Sequence, residues 1–235
     1  MQQVNNPFQA MKDIFIKPNQ VFATIAETHN WSWIPFIVIS VITAVPVYLY
    51  FNFVDFEWYK EFLVQAETGG LSPAEQDAFR NFLPDQTQSL WAGVFASPLI
   101  LVISNAIMAL YLNITTKSDE ECVQEYTDWY GFTWWASIPS VVTSLIATIV
   151  VLLAQDNQLS PVSMAPTSFA FIFSVEMSSS WSDLMQSIRL ETIWVMYLIA
   201  VGLSQWTKLP IKKTYIIAIA PYALIWGIWA LITLL

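Results

Sequence analysis

The sequence predicts an all-α, polytopic membrane helix bundle with five transmembrane helices and N-terminal interfacial helices. Three observations carry that prediction. Hydrophobic residues make up 56% of the chain and charged residues only 11%, where about a quarter charged is usual for a soluble domain. Five apolar stretches approach or exceed the roughly 20 residues needed to cross a hydrocarbon core. Tryptophan and tyrosine gather at the ends of those stretches, where amphipathic rings prefer the headgroup level. The stretches lack barrel-strand alternation, and a lipid-exposed segment must close its backbone hydrogen bonds internally, so each should be a helix.

The first elements precede the membrane. A helix opening at Pro7 places Phe8, Met11 and Phe15 on one stripe, and a second opening at Pro18 does the same with Val21, Phe22 and Ile25. Lys12, Asp13, Gln20 and Glu27 surround these stripes with polar groups. Both helices therefore read as amphipathic feet at the inner interface, with a partner-binding role as the alternative. A cleavable leader is not expected, because a compact basic head, a short apolar centre and a small-residue cleavage site are all missing. The expected division is a cytoplasmic amphipathic interfacial segment, 1–32, followed by a five-span membrane domain, 33–235.

The spans are placed near Trp33 to Phe53, Leu90 to Leu112, Thr133 to Ala154, Glu191 to Trp206 and Tyr215 to Leu234, with Ile188 to Leu190 extending the fourth. Trp31, Trp33, Phe56, Trp58, Tyr59, Trp129, Tyr130, Trp134, Trp135 and Trp206 read as a membrane belt. Between the first two spans, Ser72, Pro73 and Glu75 predict a capping box and a short helix to about residue 83, with Ala78, Phe79 and Phe82 on its apolar side and Arg80 in water. The apolar run 168–175 is too short to cross and should lie at the interface. Ser180 and Asp183 suggest another helix start before the fourth span.

Basic residues near the span ends set orientation. With the N-terminus inside, Lys12, Lys17, Lys117, Lys208, Lys212 and Lys213 fall on the cytoplasmic side, against Lys60, Arg80 and Arg189 outside. Five spans then put the C-terminus outside. The net charge of −9 resides largely in the segments between apolar runs, a solvated-loop pattern.

The chemistry is sparse. Cys122 is the only cysteine and His29 the only histidine, which excludes an intrachain disulfide and a two-histidine metal site. His29 reads as an interfacial side chain. No phosphate-cradling glycine loop, zinc-protease helix or nucleophile elbow occurs. The span centres lack Asp, Glu, Lys, Arg and His, which removes the easiest means of coupled transport. Asn105, with Ser104 beside it, is the main amide within a span and is read either as a solute-contacting group or as an interhelical hydrogen bond. Pro46, Pro98, Pro139 and Pro221 fall within four of the spans and free the carbonyls of Ile42, Val94, Trp135 and Ile217. Ala136, Ser140 and Ser144 on the third span, and Ala223 and Gly227 on the fifth, allow close helix contact, internal or between subunits. No catalytic residue, cofactor or metal is expected.

The segments "NPFQAMKDIFIKPNQVFATIAE", "WYGFTWWASIPSVV" and "LETIWVMYLIAVGLSQWTKLPIKKTYIIAI" resemble the Yip-one (Ypt-interacting protein one) membrane-domain family, in its bacterial branch. The resemblance covers roughly residues 5 to 235 and implies a five-span membrane domain with an inside N-terminus. Eukaryotic members suggest trafficking, small-GTPase association or membrane organisation. The acidic-aromatic DLYGP segment before the first span is replaced here by "AETHNWSWIPF", so GTPase binding is not carried over. The expectation is a non-enzymatic scaffold or adaptor in a bacterial inner membrane. Its partners would be the lipid bilayer and a membrane protein or second copy, not nucleic acid. A small-solute permease using the proline-broken helices is the alternative.

Overall fold

The computed structural model describes Val4, residues 6–28 and residues 30–235. His29 lies outside the described residues. The elements are α1 (Pro7–Asp13), α2 (Pro18–Ala26), α3 (Trp33–Phe53), α4 (Phe56–Thr68), α5 (Pro73–Phe82), α6 (Gln86–Thr116), α7 (Tyr126–Ala136), α8 (Pro139–Leu153), α9 (Phe169–Ile172), α10 (Ser182–Ser187), α11 (Leu190–Trp206) and α12 (Ile211–Leu234), with a 3-10 turn at Pro161–Met164. Among the described residues the only β pairing is an isolated antiparallel bridge between Ser168 and Arg189.

Four stretches are long and apolar enough to cross a membrane: α3, α6, Tyr126–Leu153 and α12. The fourth expected span, α11, is an apolar helix of 17 residues. Its length of about 25 Å falls short of a hydrocarbon core of about 30 Å. The second span is longer than its apolar stretch suggested, because Gln86 to Ser89 and Asn113 to Thr116 continue the helix. Tyr126–Leu153 is two helices, since the chain breaks at Ser137 and Ile138 and restarts with Pro139 at the first helical position.

Two compact units are formed. The first takes residues up to Val41, Leu99–Ser140 and Glu191–Ile225; the second takes Ile42–Pro98, Val141–Leu190 and Trp226–Leu235. The sequence division at 32/33 falls inside the first unit.

In the first unit, Asn6 caps α1 by accepting the Gln9 N–H at 2.8 Å, and Pro7 and Pro18 start α1 and α2 where no N–H partner is needed. The buried face of α1 is Ala10 and Ile14, four residues apart, while Phe8 is 61% exposed. On α2 the expected stripe is turned into the protein: Val21 and Phe22 have no exposure and Ile25 only 8%. Phe22 meets Phe132 with ring centroids 4.8 Å apart. Phe132 in turn meets Trp206 at 4.9 Å and Trp129 at 5.3 Å. The Trp206 indole N–H donates to the Phe22 carbonyl at 2.8 Å, tying α2 to the end of α11.

Gly202 makes this packing possible, because a β-carbon there would collide with the Phe132 ring and lie 2.9 Å from Phe22. Trp129, Trp134 and Trp135 are buried to within 1% of completely. The expectation that they form a headgroup belt is corrected: they are the core of the first unit. Trp33, 62% exposed, keeps the character of an interfacial ring.

In the second unit, Tyr50, Val54 and Val151 form a buried cluster against Trp58, Tyr59, Leu159 and Met164. Tyr50 donates its hydroxyl to the Leu159 carbonyl at 2.8 Å. Burial pushes the Tyr59 phenol up from its ordinary pKa. The Ser72–Glu75 capping box forms as predicted. Arg80 stays partly exposed, as expected, and reaches back to Glu61 of α4, with its Nη2 3.1 Å from Oε2, and also pairs with Asp77. The Arg80 hydrogen bond holds the Glu61 carboxyl below its usual range. Phe82 remains 83% exposed and α5 buries no residue.

The predicted cap at Ser180 is corrected. Trp181 occupies the cap position of α10 without a side-chain bond, and Ser182 opens the helix. The run 168–175 contributes the short α9, capped where Ser168 accepts the Phe171 N–H at 3.2 Å.

The small residues of the expected stripes differ in use. Ala136 and Ser144 are buried, whereas a β-carbon on Gly227 would meet nothing within 4 Å. Thermal unfolding of the purified chain in detergent should separate these environments. Gly202→Ala should destabilise by about 1–3 kcal/mol through overpacking. Gly227→Ala should be neutral or stabilise by up to about 1 kcal/mol through the helix backbone.

Candidate functional site

The polar centre of the first unit lies where the third apolar stretch breaks. Asn105, on α6, is 7% exposed. Its Oδ1 accepts the Ser137 hydroxyl at 3.0 Å, just past the end of α7. Thr133, one turn earlier, donates to the Tyr130 carbonyl at 2.8 Å. Asn105 therefore acts as an interhelical clasp, while its Nδ2 has no partner among the described residues. Ser104, the neighbouring candidate, is exposed and takes no part.

The four prolines divide by context. Pro46, Pro98 and Pro221 sit inside continuous helices, whereas Pro139 starts one, so only Pro139 marks a break. The Trp135 carbonyl accepts the Ile138 N–H at 3.3 Å. The Ile217 carbonyl freed by Pro221 accepts the Tyr111 hydroxyl at 3.0 Å. These two positions are satisfied by packing within the first unit.

Beside the clasp the first unit encloses a cavity of about 770 Å³. One wall is aromatic: Trp33 and Phe36 from α3, with Tyr130 and Trp134 from α7. Phe36 meets Trp134 edge-on at 4.9 Å. Gln124, Thr127 and Asp128, around the start of α7, add polar groups to the cavity lining. Asp128 Oδ2 accepts the Glu125 N–H at 2.9 Å, fixing the carboxylate at the first turn. Asn30, in the left-handed backbone region at φ 68°, also lines it, a conformation that asparagine tolerates well. The second unit has its own crevice of about 630 Å³, lined by Phe62, Gln65, Ser163, Ser174 and Glu176 among others.

The candidates are thus not brought to one place. Asn105 joins Ser137, while Val21, Phe22 and Ile25 are buried in packing, with Ile25 also reaching the cavity wall. Phe8 is exposed, and Met11 and Phe15 are half-buried. Sequence reasoning missed the cavity residues Gln124, Thr127 and Asp128, which looked like part of a solvated acidic loop. The density of rings from Trp129 to Trp135 was the available signal, since at 3.6 residues per turn they face every direction of a helix.

A family model describing the Yip1 domain matches residues 12–233. The chain belongs to the Yip1 domain family. No curated protein and no solved structure matches it. With four long apolar helices, this Yip1 domain chain is an integral membrane protein in contact with the bilayer. The match takes in the whole of α7 and the clasp around Asn105.

The clasp should behave as an ordinary membrane hydrogen bond. A double-mutant cycle with Asn105→Leu and Ser137→Ala, read by unfolding in detergent, should give a coupling of about 0.6 kcal/mol. Asn105→Leu alone should cost little, since it also removes the unpaired amide nitrogen.

Proposed function

We propose that this chain is a non-enzymatic scaffold or adaptor of a bacterial inner membrane, from the bacterial branch of the family. It crosses the membrane five times, α11 being the fourth crossing, with α1 and α2 on the cytoplasmic side. The observation that carries the reading is the last helix. Gly227 has open space where a β-carbon would stand, and Ile228 and Leu231 beside it are 57% and 63% exposed. A glycine on an apolar helix face is what close helix–helix contact in lipid requires. The chain's own packing leaves this one to a membrane-protein partner or a second copy.

A photo-crosslinking residue at Ile228 in native membranes should trap a discrete adduct. A chain recovered only uncrosslinked would remove the main support for the scaffold. The permease reading draws on the unpaired Asn105 Nδ2 beside the Pro139 break. It requires solute flux in proteoliposomes that falls in Asn105→Leu.

Orientation has a direct test, because Cys122 is the only cysteine and is partly exposed in the 117–125 loop. In right-side-out membranes a membrane-impermeant maleimide should leave Cys122 unlabelled until the membrane is permeabilised. Labelling of intact membranes would reverse the topology.

A further inference from the structure

The cavity of the first unit has a composition that selects among ligands. It is about 770 Å³, within the 300–1,000 Å³ range of sites that bury small organic molecules. Among the described residues Asp128 is the only carboxylate that lines it, and no lysine or arginine does. An anionic head would therefore meet uncompensated like charge, whereas a cationic head would find a carboxylate with one oxygen already fixed by the Glu125 N–H.

The remaining wall is suited to the rest of such a molecule. From Asp128 to Trp134 the cavity follows α7 for about 9 Å at 1.5 Å per residue, passing from polar Thr127 and Asp128 to the aromatic faces of Phe36 and Trp134. Trp33, 62% exposed at the start of a membrane-crossing helix, also lines the cavity. Val102, within the longest apolar helix, lines it as well. Aromatic faces attract ammonium groups as well as covering hydrocarbon.

We propose that this cavity binds an amphiphile with an ammonium head and a single apolar chain inserted, the head at Asp128 and the chain between Trp33, Phe36 and Trp134. The ammonium group can belong to a free long-chain amine or to a bilayer lipid with an amine head.

Native mass spectrometry of the full chain in a neutral maltoside detergent tests this with three probes of equal chain length: tetradecylamine, dimyristoyl phosphatidylethanolamine and dimyristoyl phosphatidylglycerol. Tetradecylamine should give a single saturable adduct. Asp128→Asn keeps an oxygen to cap α7 and should weaken that adduct at least about threefold, as loss of an exposed ion pair does. Val102→Trp, which fills the cavity from α6, should abolish it. Asp128-dependent binding of phosphatidylethanolamine as well assigns the occupant to the bilayer, and binding of the amine alone assigns it to a free amphiphile. The proposal is overturned if the amine does not bind, if its affinity is the same in Asp128→Asn, or if phosphatidylglycerol shows the same dependence on Asp128.

Discussion

Hydrocarbon offers no hydrogen bonds, so every polar group on a membrane-crossing helix must find its partner in the protein. The chain meets this constraint mostly by local means. Ser97, Thr115, Thr116 and Thr148 each return their hydroxyl to a carbonyl three or four residues back on the same helix. Where proline frees a carbonyl, a longer reach is needed, and the Tyr111 hydroxyl on the Ile217 carbonyl supplies one. That bond lets Pro221 sit inside α12 without leaving the Ile217 carbonyl unpaired.

The same constraint shifts the burden of helix association onto shape. Lipid tails are as apolar as leucine, so helices associate there by fit and not by escape from water. In the first unit that fit centres on one missing side chain. Gly202 lets the Phe132 ring settle against α11 beside Phe22, and Phe132 then brings Trp129 and Trp206 into edge contact. The N-terminal helix α2 is held by the same arrangement through Trp206. The amphipathic stripe of α2 thus fits a protein surface, not a lipid one.

Much of this was legible in the sequence, and the failures have a common cause. Four of the five apolar stretches, the Ser72–Glu75 cap and the helix starts at Pro7 and Pro18 depend on neighbours in sequence, and these formed where expected. The position of an aromatic ring relative to lipid depends on neighbours in space. Trp33 and Trp134 look alike in the sequence, yet one is 62% exposed and the other 1%. Both meet the Phe36 ring, but Trp134 also packs against Tyr130 inside the first unit, a neighbour in space that composition does not describe. The Arg80 partner was hidden in the same way, since Glu61 lies 19 residues away on another helix. Asn105 was visible as an isolated amide, but not its clasp with Ser137, 32 residues on.

The first unit nonetheless departs from the rule that polar groups in hydrocarbon find partners in the protein. Asn105 Nδ2, Trp129 Nε1 and Trp134 Nε1 are buried donors without partners among the described residues. Each such group costs about 1–3 kcal/mol when water cannot reach it. Ring packing accounts for the two indoles, because the orientations that bring Trp129 to Trp206 and Trp134 to Phe36 are set by the ring faces and not by the N–H. Asn105 has no such excuse: a leucine would fill similar space without an orphaned nitrogen. What the amide does provide is an acceptor for the Ser137 hydroxyl, at the point where a helix stops inside the apolar stretch. The amide therefore answers to the helix break at Ser137 and Ile138, after which Pro139 restarts the helix.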